Sequence, residues 1–150
     1  MTPLVLVHGF MGGSAQWDLQ RAYLGGDRPL IAVDLPGFGN NNHLDAPDTV
    51  EGFARFVLDH LTGMNVDTFD LLGHSMGGMI VQEMVALAPQ RIGKLVLYGT
   101  ASSGNLSGRF ETFEQSRQRV KADGVTSTTR RISATWFRDY EKAEQFENCA

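Results

Sequence analysis

Residues 69–89 read FDLLGHSMGGMIVQEMVALAP. A short apolar run stops at the pentapeptide Gly73-His74-Ser75-Met76-Gly77. A helical pattern follows at once, with Ile80, Met84 and Leu87 on one face and Pro89 as its stop. A strand that turns so abruptly into a helix needs glycine on both sides of the corner, because side chains there collide with the elements being joined. The turn strains the Ser75 backbone and lifts its hydroxyl above the sheet, at the helix N-terminus. There the helix dipole and free N–H groups favour a developing negative charge. Ser75 is therefore the candidate catalytic residue, the serine of a nucleophile elbow.

The strand before this corner has companions. Leu4–Val7, Leu30–Leu35, Phe69–Leu72 and Lys94–Gly99 are short apolar runs, each followed by Gly, Asp or Pro. Near-continuous apolar strands suit a parallel sheet covered on both faces. Helical segments lie between them. In DTVEGFARFVLDHL, the residues Val50, Phe53, Phe56, Val57 and Leu61 share a face, with Asp48 as the expected N-cap and Glu51 three residues on. The alternation predicts an α/β fold, a doubly wound parallel sheet, over residues 1–100. From Thr100 the character changes. ASSGNLSG is a small-residue linker, and polar helical segments follow around Phe110–Asp123, Ser127–Trp136 and Asp139–Asn148. Residues 101–150 are thus expected to form a helical cap segment on the sheet.

A chain of 150 residues is long enough for a real core. Its net charge of −4 and scattered basic residues exclude nucleic acid and anionic membrane as expected partners. No apolar run approaches the roughly 20 residues that a membrane span requires. Cys149 has no Cys or His partner, which fits a reducing, cytoplasmic setting, and no signal peptide is visible at the N-terminus. No metal-ligand spacing is present, HSMGGM lacks the Lys-Ser/Thr end of a phosphate loop, and no cofactor is expected.

Two glycine-rich turns accompany the serine. His8-Gly9-Phe10-Met11-Gly12-Gly13 follows the first strand, and a His-Gly pair there shapes a loop whose backbone N–H can face Ser75. The Phe10 N–H and the Met76 N–H are the expected oxyanion-hole donors. Asp34-Leu35-Pro36-Gly37-Phe38-Gly39 follows the second strand and is read as structural, positioning the chain beneath the site. Met11, Phe10, Trp136 and Phe137 are candidates to line an apolar acyl pocket, with packing the default for the last two. Arg130-Arg131 reads as a solvated face, or as a clamp for a carboxylate substrate.

The series strand–HGF–helix–strand–DLPGFG–helix–strand–GHSMGG–helix–strand resembles the α/β-hydrolase fold, over about residues 3–100. The likeness is to small capped serine hydrolases: esterases, enol-lactonases, carbon–carbon bond hydrolases and perhydrolases. It implies a small-molecule acyl substrate. It also implies the strand order second, first, third, fourth, with the second and fourth strands at the edges. Serine at the corner sets the chain apart from the dehalogenase and epoxide-hydrolase branches, whose nucleophile is a carboxylate.

The resemblance also implies a histidine and an acid after the serine. Here His8, His43, His60 and His74 all precede Ser75. His8 belongs to the oxyanion loop, the corner turns His74 away, His60 sits near a helix end, and only His43 is a conceivable base. Asp123, Asp139 and the later glutamates fall in the cap segment. The family's sheet has about eight strands, against about four here. The expectation is an N-terminal portion, with a second chain or a missing C-terminal segment completing the sheet and triad. The alternative is a non-catalytic ligand-binding protein on the same scaffold, or an inactive fragment.

Overall fold

A computed structural model describes residues 1–104, 111–143 and 146 of the chain. Cys149, Phe110 and Asn148, singled out above, lie outside the described residues. The chain divides into two compact units, residues 1–105 and 106–150.

The first unit is built on a parallel sheet of four strands, β1 (Leu4–Val7), β2 (Leu30–Val33), β3 (Phe69–His74) and β4 (Ile92–Tyr98), in the order β2-β1-β3-β4. This is the expected fold class and strand order. Between the strands run α1 (Asp18–Leu24), α2 (Val50–Gly63) and α3 (Met76–Leu87). Side chains alternate across the pleat, so β1 feeds two cores. Val5 and Val7 join Val33, Leu35, Phe69 and Leu71 against Phe53, Val57 and Leu61 of α2 and Ile80, Val81 and Met84 of α3. Leu4 and Leu6 meet Trp17 on the opposite face. Burial of a side chain such as Leu61 contributes about 1.5–3 kcal/mol.

The α2 N-cap differs from the expected Asp48. Thr49 takes the extended cap conformation, and its hydroxyl accepts the Gly52 N–H at 3.0 Å. Glu51 does not close a capping box; it turns outward to pair with Arg55 at 2.7 Å. At the other end of α2, Arg91 works as a clasp. Its guanidinium donates to the carbonyls of Val66 (2.7 Å) and Asp67 (3.0 Å) and to the Thr62 hydroxyl, and lies over the Phe69 ring.

In the second unit, α4 (Phe113–Ala134) is two helical stretches joined at Gly124, whose φ of 80° breaks the helix between the two expected segments. Thr112 caps it, accepting the Gln115 N–H while the Gln115 side chain accepts the Thr112 N–H. Of the third expected segment, the described residues form a short 3-10 turn, Tyr140–Lys142. Of Arg130-Arg131, Arg130 is exposed with its guanidinium over the Phe146 ring, and the half-buried Arg131 pairs with the buried Glu111 at 3.2 Å. Arg119 reaches Glu111 from the preceding stretch at 2.9 Å. A hydrogen bond from Ser116 and the two guanidiniums hold the Glu111 carboxyl below its usual range. Among the described residues, no helix is long and apolar enough to cross a membrane.

Candidate active site

Ser75 sits where β3 passes into α3, with φ 52° and ψ −118°. A positive φ is costly for any residue with a Cβ and persists only where the surroundings fix it. Three hydrogen bonds do so. The Ser75 N–H donates to the Tyr98 carbonyl at 3.1 Å, and the Ser75 carbonyl accepts from the Gly78 N–H at 2.9 Å and the Thr100 hydroxyl at 2.6 Å. Thus the corner is held from the end of β4 and from the first turn of α3.

Crowding explains the glycines. A side chain on Gly73 would meet the Gly77 carbonyl and, at 2.6 Å, a methyl of Val81. One on Gly77 would run into the carbonyls of Val7 and His8 at the end of β1. Ser75 is half-buried, and its hydroxyl makes no capping hydrogen bond within the described residues. It stands at the start of a 12-residue helix, where the N–H groups of Met76 and Gly77 precede the first bond, from the Gly78 N–H back to the Ser75 carbonyl.

The loop after β1 runs past this corner. A methyl on Gly9 would lie 3.1 Å from both the Ser75 Cβ and His74 Nδ1. The Gly12 N–H closes a turn onto the Gly9 carbonyl at 3.1 Å, and Met11 takes φ 64°. A hydrogen-bonded four-residue turn with a positive φ at its third residue is of the type II kind, which Met11 adopts against its preference. No hydrogen bond within the described residues occupies the Phe10 N–H. The Phe10 side chain is 57% exposed and meets Phe38 edge-on at 5.8 Å. Met76, the other expected donor, opens α3 and packs its side chain onto the larger core.

The DLPGFG turn supports the floor. The Asp34 carboxylate accepts from the Ser14 N–H (2.6 Å), the Ser14 hydroxyl (3.1 Å) and the Asn40 amide (2.8 Å), tying the loop after β1 to the loop after β2. Burial opposes the Asp34 charge, but these hydrogen bonds outweigh it and hold the carboxyl below its usual value.

The histidines divide by environment. His8 is fully buried. Its Nε2 accepts the Leu35 N–H at 3.1 Å, so the proton resides on Nδ1, which donates to the Gly9 carbonyl at 2.8 Å. Burial lowers its pKa, against smaller raising effects of Gly9 and Asp34. Both nitrogens are thus engaged, and His8 is a staple beneath the loop. His74 accepts from the Gln16 amide at Nδ1 (3.0 Å) and its ring lies 5.3 Å from that of Tyr98; burial lowers its pKa too. His43 and His60 are exposed, the latter stacked on Phe56. Gln16 was not singled out from sequence, yet it also accepts the Gly9 N–H at 3.4 Å, linking the loop to the corner.

Among the described residues, no group of three or more His, Cys, Asp or Glu side chains is placed to hold a metal ion. A surface depression of about 540 Å³ lies at the opposite end of the sheet, between Thr2, Arg28, Asp70 and Lys94, and its lining includes none of Ser75, Phe10 and Met76.

The profile of the alpha/beta hydrolase fold family matches residues 2–146. The chain is 36% identical over 110 residues to the dihydrolipoyllysine-residue acetyltransferase component of the acetoin cleaving system of Pseudomonas putida, a match covering 73% of this chain and 30% of that protein. It is 37% identical over 100 residues to the (lyso)-N-acylphosphatidylethanolamine lipase of Mus musculus, covering 64% of this chain and 29% of the lipase. A solved hydrolase from Pseudomonas aeruginosa PA01 superposes with a TM-score of 0.77 at 25% identity, over 99% of this chain and 57% of its own. The chain therefore spans less than a third of the length of the curated relatives and a little over half of the solved one.

Proposed function

The chain belongs to the alpha/beta hydrolase fold family, and from that membership we propose that the protein is a serine hydrolase acting on a small ester, lactone or activated carbon–carbon bond through an acyl-enzyme at Ser75. One observation carries the reading. A serine whose hydroxyl has no hydrogen-bond partner among the described residues sits on a strained backbone, φ 52°, at a strand-to-helix corner whose glycines leave no space for side chains. Strain of this kind is retained where function requires it.

In the proposed reaction the Ser75 oxygen attacks the substrate carbonyl carbon and its proton passes to a histidine. The carbonyl oxygen becomes an oxyanion held by the Phe10 and Met76 N–H groups. Collapse of the intermediate expels the leaving group, which takes the proton from the histidine. Water then attacks the acyl-enzyme by the reverse proton path, releasing the acid and restoring Ser75. On this reading the histidine and its acid partner come from a second chain or a C-terminal segment, a reading supported by the commitment of His8 to Leu35 and Gly9 and of His74 Nδ1 to Gln16. This engagement of His8, with His43 and His60 out in solvent, also favours a second reading, a ligand-binding scaffold without turnover.

Labelling and mutation of the whole protein decide between them. A fluorophosphonate should modify Ser75, and Ser75→Ala should lower hydrolysis of a short-chain aryl ester by about 10⁴-fold or more, since nucleophile and base act as a unit. Unchanged turnover in Ser75→Ala excludes the hydrolase mechanism; absence of both labelling and turnover in the wild type leaves the binding scaffold.

A further inference from the structure

Just past the serine, Gly78 lies outside the Gly-x-Ser-x-Gly pattern, and helix propensity disfavours glycine there. Its place is explained by a neighbour. A side chain on Gly78 would collide with the Cβ and methyl of Thr100. The missing side chain lets Thr100 approach the first turn of α3, and there its hydroxyl donates to the Ser75 carbonyl at 2.6 Å.

We propose that Thr100 is a positioning residue for the oxyanion hole, aiming the Met76 N–H through the Ser75–Met76 peptide group. The proposal rests on the reading of Ser75 as nucleophile and Met76 as donor. The physical link is the planarity of the peptide bond, which is trans here as throughout the described residues. The Ser75 carbonyl and the Met76 N–H belong to one rigid plane and point in opposite directions. A group that grips the oxygen therefore fixes the direction of the N–H. The carbonyl already accepts the Gly78 N–H at 2.9 Å, so Thr100 is not needed to satisfy a buried acceptor. A second donor, arriving from the end of β4, fixes the tilt of the plane that a single bond would leave free. It also polarises the peptide, which strengthens the N–H on the other side as a donor.

Thr100 is itself braced. The Gln82 amide donates to the carbonyls of Gly78 (3.0 Å) and Ala101 (3.2 Å), clamping the segment that carries Thr100 to α3. The Ser75 N–H bond to the Tyr98 carbonyl at 3.1 Å adds a second link between this segment and the corner.

The test compares Thr100→Val, which keeps the shape and removes the donor, with Thr100→Ser and Thr100→Ala in the whole protein. The readouts are kcat and KM for a short-chain aryl ester, affinity for a trifluoromethyl ketone that forms a tetrahedral adduct on the serine, and thermal unfolding. Deleting an oxyanion donor outright costs about 10²–10³ in kcat, so a misaimed one should cost roughly tenfold or more. Thr100→Val and Thr100→Ala should lose that factor in kcat and in ketone affinity with KM changed by less than about twofold, and Thr100→Ser should restore both. Wild-type kcat and ketone affinity in folded Thr100→Val or Thr100→Ala, with Ser75→Ala inactive, would overturn the positioning role alone. Loss of thermal stability without loss of kcat per folded molecule would do the same. Full turnover in Ser75→Ala would instead remove the reading on which the proposal rests.

Discussion

Gly9 approaches Ser75 so closely that a methyl group on it would lie 3.1 Å from the Ser75 Cβ. The same methyl would be 3.1 Å from His74 Nδ1 and 3.4 Å from the His74 carbonyl. The loop after β1 and the corner after β3 thus leave no room for a side chain between them, although 66 positions separate the two residues (75 − 9). Gly9→Ala requires a shift of a few tenths of an ångström on one side or the other. Because misplacement by about 1 Å costs roughly a hundredfold in rate, Gly9→Ala is expected to lower kcat about tenfold while thermal stability changes little. Steady-state kinetics beside a melting curve checks this, and an unimpaired kcat would show that the loop takes no part.

Gly77 poses a harder constraint. The atoms a side chain would meet are the carbonyls of Val7 and His8, which are backbone and have no alternative rotamer. Gly77→Val should therefore destabilise by more than the roughly 1–3 kcal/mol typical of overpacking, and in practice yield little folded protein. Gly63, near the end of α2, has nothing within 4 Å of the corresponding position. Gly63→Ala should be neutral or stabilise by about 0.4–1 kcal/mol. Urea unfolding of the pair separates a crowded glycine from an incidental one; equal behaviour would argue against the packing seen at the corner.

His8 makes stability depend on pH. Its folded-state pKa lies below the ordinary value of 6.5, with burial as the main cause, so the unfolded chain binds the proton more readily. The stabilisation is then complete above pH 6.5 and falls as the pH drops through the folded value. Protonation would place an Nε2–H against the Leu35 N–H, two donors face to face. His74 is shifted in the same direction by burial and adds to the effect. Urea midpoints should decline from pH 7.5 to 5, and His8→Gln should flatten part of that decline even if it lowers stability at neutral pH. A pH-independent wild type would contradict the buried neutral imidazole.

The strands were legible because they are short apolar runs ended by Gly, Asp or Pro, a pattern set by burial on both faces. The corner was legible because glycine spacing is a local signal. The contacts that organise the site were not. Gln16 reaches His74 across 58 positions, Thr100 reaches Ser75 across 25, and Asp34 reaches Ser14 across 20. Each is an ordinary polar residue with no periodic or spacing signature of its own. Gly78 was a faint trace, a third glycine where the motif asks for two. The cap of α2 was misplaced by one residue because Asp48 and Thr49 are both good caps, and the backbone angle that selects Thr49 is not written locally. The ion pair of Arg131 with Glu111 was not legible because its partner lies 20 positions away (131 − 111).

The two edges of the sheet are unequal. On β2, a strand of four residues, Leu30, Ile31 and Ala32 are half-buried and Val33 is buried. On β4, a strand of seven, Leu95, Val96, Leu97 and Tyr98 are 39%, 48%, 45% and 63% exposed. Only its β3 side is paired within the described sheet. A long apolar edge with free N–H and C=O groups recruits another strand, and short or charged edges do so less. Residues 1–150 expressed alone are therefore expected to associate through β4, seen as a mass above the monomer's 16.5 kDa in light scattering. Val96→Lys and Leu97→Lys should shift the population toward monomer, because a charge on an edge strand penalises further pairing. The corresponding change on β2, Ile31→Lys, should leave association in place. A monodisperse wild-type monomer that unfolds cooperatively would show that β4 is protected as it stands, and ester hydrolysis by that monomer would shift the role of base to His43.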